Sequence, residues 1–179
     1  MSHLARRFIA TAFVSTILSL SAHAATLNIH NGGDPTSLDP QKISGDWENR
    51  IDGDIFEGLV TEDPKDNPIP GQAASWTISA DQKVYTFKLR DGIKWSDGTP
   101  VTAQDFVFAF QRLMDPKTAA QYAYLQYTIK NAEKINKGEI KDLTQLGVKA
   151  IDDKTLEITL ENPTPYFLNA MMHYTAYPL

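Results

Sequence analysis

The sequence predicts a mixed α/β fold, and three observations carry that reading. Tyr85, Phe87 and Leu89 alternate with Thr86, Lys88 and Arg90, the period of two of a strand with one buried face. Phe106, Val107, Phe110, Leu113 and Met114 fall on one helical stripe. A second alternating run, Leu156, Ile158 and Leu160, follows the turn Asp152-Asp153-Lys154. No internal repeat or low-complexity segment interrupts this order.

The chain opens with Arg6-Arg7, an apolar run over residues 8–20, and Ala22-His23-Ala24. That order is a secretory signal peptide, residues 1–24, cut between Ala24 and Ala25. The run falls short of the roughly 20 apolar residues that cross a bilayer. There is no cysteine anywhere, so neither a lipid anchor nor a disulfide is available. A soluble periplasmic protein, not a lipoprotein, is expected. Its stability must rest on its apolar core.

Residues 26–30 read as a short strand ending at the turn formers Asn31-Gly32-Gly33-Asp34-Pro35. Over residues 47–59, Ile51, Ile55, Phe56 and Leu59 recur at helical spacing, among Asp46, Glu48, Asp52 and Asp54. This predicts a short amphipathic helix with its carboxylates on the solvated face. The stretch 62–71, with three prolines, reads as a surface loop. Strands follow at 75–78 and 83–89, stopped by Asp91-Gly92. Trp95 and the turn Ser96-Asp97-Gly98-Thr99-Pro100 lead to Thr102, which with Asp105 three residues on has the pattern of a helix cap. Asp115-Pro116 ends that helix. A second helix is expected over 120–137, ended by Gly138; then a hairpin of 148–151 with 155–160, and a last helical run over 166–173.

Composition excludes several functions. The formal net charge is -5, and a mature chain without Arg6 and Arg7 is more acidic still, with Lys and Arg dispersed. Nucleic acid, which demands clustered cations, is not an expected partner. Gly32-Gly33 is followed by Asp-Pro and makes no phosphate loop. His3, His23, His30 and His173 are scattered, and no nucleophile triad or metal-ligand spacing appears, so no cofactor, metal or catalytic residue is expected. Asp52, Asp54 and Glu57 read as solvated carboxylates and not as an acid-base pair. Trp76 and Trp95 read as core or domain-interface aromatics, and Trp47 as a weak ligand candidate beside the start of its helix.

The string AASWTISADQKVYTFKLRDGIKWSDGTPVTAQDFVFAF, preceded by SLDPQKISGDWENRIDGDIFEGLV and followed by LGVKAIDDKTLEITLENPTPYF, resembles family 5 of the bacterial extracellular solute-binding proteins. These are the oligopeptide- and dipeptide-binding receptors of ABC importers. The resemblance implies a mixed-sheet periplasmic binding protein of type II with an extra domain, of which this chain is the N-terminal part. Residues 25–56 would begin lobe one, and residues 57–179 would belong to the additional domain. It implies a non-enzymatic, monomeric receptor that closes around short peptides and hands them to an inner-membrane ABC permease. Ser44, Gly45 and Asp46 then lie where backbone groups meet an extended ligand, as in strand addition, although Ser44 stands where oligopeptide binders often have an acidic residue. The same three residues also suit a plain helix-leading turn, with Gly45 for freedom and Asp46 as cap. Tyr122 lies where the family has a ligand-facing tyrosine, or, with Tyr124 and Tyr127, lines a domain interface. Other solutes taken by the same fold stay open: dipeptides, murein peptides, nickel chelates, haem, opines and sugars. A secreted hydrolase or scaffold is the reading from a different class.

Overall fold

The computed structural model describes residues 26–179; the leader and the junction of Ala24 and Ala25 lie outside the described residues. Asn31–Leu179 form one compact unit, and residues 26–30 are assigned to the unit before it. Residues 26–30 are not a strand. A strand requires a regular ladder with a neighbouring strand, and neither sheet among the described residues includes 26–30.

The elements run in chain order as α1 (Asp46–Ile55), β1 (Val60–Glu62), β2 (Pro68–Pro70), β3 (Ala73–Ile78), β4 (Val84–Leu89), α2 (Ala103–Met114), α3 (Ala132–Asn136), β5 (Val148–Asp152), β6 (Thr155–Thr159) and α4 (Phe167–Ala170). The sheet has the order β3-β4-β6-β5 and is antiparallel throughout, with Phe87 opposite Trp76 on one side and Leu156 on the other. The stretch expected as a loop at 62–71 contains the β1-β2 hairpin. Its turn is built by the Asp63 carboxylate, which accepts from the backbone N–H groups of Lys65 and Asn67. Pro68 and Pro70 are tolerated because a two-stranded ladder is all edge.

On β4 the predicted alternation holds, with Tyr85, Phe87 and Leu89 buried. On α2, Phe106, Val107, Phe110, Leu113 and Met114 are all buried. The helix lies against β5 and β6, and Leu156, Ile158, Phe167 and Met171 complete the core. Its start is held by a capping box: the Asp105 carboxylate accepts from the Thr102 backbone N–H at 2.7 Å and hydroxyl at 3.1 Å. Trp76 and Trp95 pack, partly buried, against this core.

The helix expected over 120–137 is divided. A 3-10 turn at Ala123–Gln126 and the short α3 flank a break where Ile129 bridges to Leu160, Lys130 N–H donates to Thr159 O, and Asn131 takes φ 63°. Backbone groups that bond to the strand beside them cannot also continue a helix. Gly138, expected to end the longer helix, lies just past the short α3 at φ 76°, in the left-handed conformation. The run over 166–173 is likewise helical only at α4, followed by a 3-10 turn at Tyr174–Ala176.

Candidate ligand-binding site

The segment leading into α1 is fastened to α2 by side chains. Arg112 donates to both oxygens of Asp39, at 3.0 and 2.5 Å, and to Gln41 Oε1 at 2.8 Å; Gln41 Nε2 donates to the Ala109 carbonyl at 2.7 Å. The Arg112 hydrogen bonds outweigh partial burial and hold the Asp39 carboxyl below its ordinary range. Ile43 is buried, and its carbonyl accepts from the Tyr174 hydroxyl at 3.5 Å, a long bond. Ser44 and Asp46 are therefore presented, exposed, from a tethered segment, with Gly45 half-buried between them.

Gly45 is itself the N-cap of α1, at φ -102° and ψ 157°, so Asp46 is the first helical residue and not the cap. Any residue reaches that backbone conformation. What excludes a side chain is space, because a Cβ on Gly45 would stand 2.1 Å from Glu48 Oε2. Glu48 cannot readily yield: its Oε1 accepts from the Thr36 backbone N–H at 3.1 Å and hydroxyl at 2.9 Å. Those bonds, the backbone one foremost, keep the Glu48 carboxyl below its ordinary value despite burial.

The orientation of α1 departs from expectation. The helix ends at Ile55, four residues earlier than its pattern suggested, and Leu59 reaches the core from the next segment instead. Glu48 and Asp52, one turn apart, are its buried residues, while Trp47 and Ile55 are exposed. Asp52 is thus not a solvated carboxylate: it is fully buried, and neither oxygen has a protein hydrogen-bond partner. Burial first, then the charges of Asp39 and Glu48, push it up to about 6. Asp54 is exposed as expected, and Glu57 forms a two-bond pair with Arg90, at 2.9 and 2.7 Å.

Tyr122 is half-buried and its ring meets His173 and Tyr174 edge-on, with centroids 5.8 and 6.2 Å away. His173 and Tyr174 lie 3.9 Å apart, and Tyr124, 55% exposed, leans on Tyr122 from outside. Burial lowers His173, whose Nδ1 accepts from the Thr175 N–H at 3.3 Å, and raises the Tyr174 phenol to about 12. Both rings are neutral at ordinary pH. The structure therefore brings Tyr122 to the Ile43-Ser44 backbone through Tyr174, across a long sequence separation. Sequence reasoning missed His173 and Tyr174. The only signal was an aromatic pair closing an apolar run, which is also what a core looks like. Beside them a cleft of ≈ 440 Å³ is lined by residues that include Asn49, Arg50, Asp54, Asn169 and His173.

Residues 67–179 match the family described as bacterial extracellular solute-binding proteins, family 5 Middle. The chain belongs to that family. Over 160 residues it is 52% identical to the periplasmic oligopeptide-binding protein OppA of Escherichia coli K12, covering 88% of this chain and 29% of that protein. It is 48% identical over 152 residues to the probable deoxycholate-binding periplasmic protein YgiS of the same organism, covering 84% of this chain and 28% of the relative. The solved structure of Haemophilus influenzae OppA in complex with RPPGFSPFR is similar at a TM-score of 0.79 and 45% identity, over 83% of this chain and 29% of that one. The chain thus spans under a third of the length of each of these three proteins. Among the described residues, no group of three or more His, Cys, Asp and Glu could hold a metal, and no helix is long and apolar enough to cross a membrane.

Proposed function

We propose that this chain forms part of a periplasmic receptor that binds short peptides and delivers them to an ABC permease without doing chemistry on them. The observation that carries the proposal is that Tyr174, whose ring meets Tyr122, reaches with its hydroxyl the Ile43 carbonyl just before the exposed Ser44, in a chain half identical to an oligopeptide-binding relative. A tethered stretch of exposed backbone recognises what all peptides share, and an amphipathic ring tolerates varied side chains. In this reading residues 1–24 direct export and are removed, residues 25–56 open the first lobe, residues 57–179 belong to the additional domain, and the mature receptor is a monomer without a lipid anchor. The ligand favours the closed form because it touches both lobes, and the permease reads that form.

The deoxycholate-binding name of one relative supports a second reading, in which the aromatic cluster takes a bile salt. Titration calorimetry on the mature native protein distinguishes them, with trialanine and with deoxycholate as probes. Saturable binding of the tripeptide alone is the expected result. Binding of deoxycholate alone moves the assignment to the bile salt, and heat from neither removes the receptor reading.

A further inference from the structure

The inner face of α1 is built from carboxylates where a helix of this size ordinarily presents apolar side chains. Glu48 is satisfied on one oxygen by Thr36, and Asp39 is satisfied by Arg112. Asp52, enclosed between them and the turn Tyr174–Ala176 on which α1 packs, has no donor for either oxygen. The charges of Asp39, before the helix, and Glu48, one turn up, oppose its ionisation, and its own charge would act on the Tyr174 and Tyr177 phenols of the C-terminal turn. The cation of the cluster, Arg112, is already engaged by Asp39 and Gln41. Asp52 is fully buried, so a group from outside reaches it only by displacing residues that cover it.

We propose that Asp52 is a proton-operated latch: uncharged, it seats α1 on the C-terminal turn, and ionised, it is driven from Glu48 and Asp39 so that the helix and the Ser44–Asp46 segment leading into it loosen. Glu48 is the intermediary. Its Oε2 occupies the space beside Gly45, so a shift of the helix at Asp52 is felt at the exposed loop one turn away. The sign follows from where the proton sits. Asp52 holds its proton up to about pH 6 in the folded chain, against an ordinary value of 3.8. The stabilisation from seating the uncharged form is complete below the ordinary value and is lost as pH rises through about 6.

The test is amide hydrogen exchange of the mature native protein at about pH 5 and about pH 7.5, corrected for intrinsic exchange, with each unit of upward shift worth roughly tenfold in opening. No ligand is present, so the outcome is independent of what the receptor binds. The expected result is a loss of protection of roughly tenfold or more across residues 46–55 of the wild type, with β4 and β6 unchanged, and no such loss in Asp52→Asn. A flat wild-type response, or an undiminished one in Asp52→Asn, overturns the latch. Carbon-13 carboxyl NMR of the wild type decides the matter even if the variant does not fold: Asp52 titrating near 6 supports the proposal, and titration at its ordinary value removes it.

Discussion

At Gly45 the reason for a glycine is the neighbour and not the backbone angle. Its φ of -102° would accept alanine, and on conformational entropy alone that exchange would be mildly stabilising. The Glu48 carboxylate reverses the sign, because the new methyl would meet Oε2 at 2.1 Å while Thr36 holds that side chain in place. Gly45→Ala is expected to lose about 1–3 kcal/mol by overpacking, measured by urea denaturation. In a Glu48→Ala background the penalty should vanish, and a double-mutant cycle reads the coupling directly. Strict additivity of the two changes would show that Glu48 is not what excludes the methyl. None of this was legible in the sequence, which showed a glycine before a helix and offered backbone freedom as the obvious motive. Asp52 was illegible for a related reason: periodicity says which side chains share a face, and does not say which face meets the rest of the protein.

At the scale of elements, legibility follows how local the deciding interactions are. The segment 73–110 was readable because its strand alternation, turn residues and helix cap are all settled within a few residues of one another. The β5-β6 hairpin was readable for the same reason. The division of 120–137 was not, since Lys130 bonds to Thr159 and Ile129 pairs with Leu160, partners some thirty residues away. The capping box of α2 belongs to the local class and makes a local prediction. Asp105→Ala removes the acceptor for both donors of Thr102 and a favourable charge at the positive end of the helix. About 1 kcal/mol of stability should be lost, seen as a lower denaturation midpoint at unchanged slope. Asp105→Asn should recover part of it, because its amide oxygen can still accept. An alanine variant as stable as wild type would mean that the apolar stripe alone sets where α2 begins.

At the scale of the whole molecule, the candidate site depends on an attachment and not on its exposed residues alone. Ser44 and Asp46 present their backbone from a segment that is pinned to α2 by Arg112 and Gln41, and α2 is in turn seated on the sheet by its buried stripe. A ligand that binds this loop therefore uses order already supplied by the core. Arg112→Leu keeps an apolar stem on α2 but removes the donors to Asp39 and Gln41. If the loop contacts peptide as proposed, the cost of ordering it then falls on binding, and one charge-assisted bond of this kind corresponds to roughly tenfold in affinity. The expected outcome by calorimetry with trialanine is a Kd weaker by about that factor, with hydrogen exchange faster over residues 39–46 and unchanged in β4 and β6. An unchanged Kd with a demonstrably loosened loop would place peptide recognition elsewhere, leaving Ser44, Gly45 and Asp46 as a helix-leading turn.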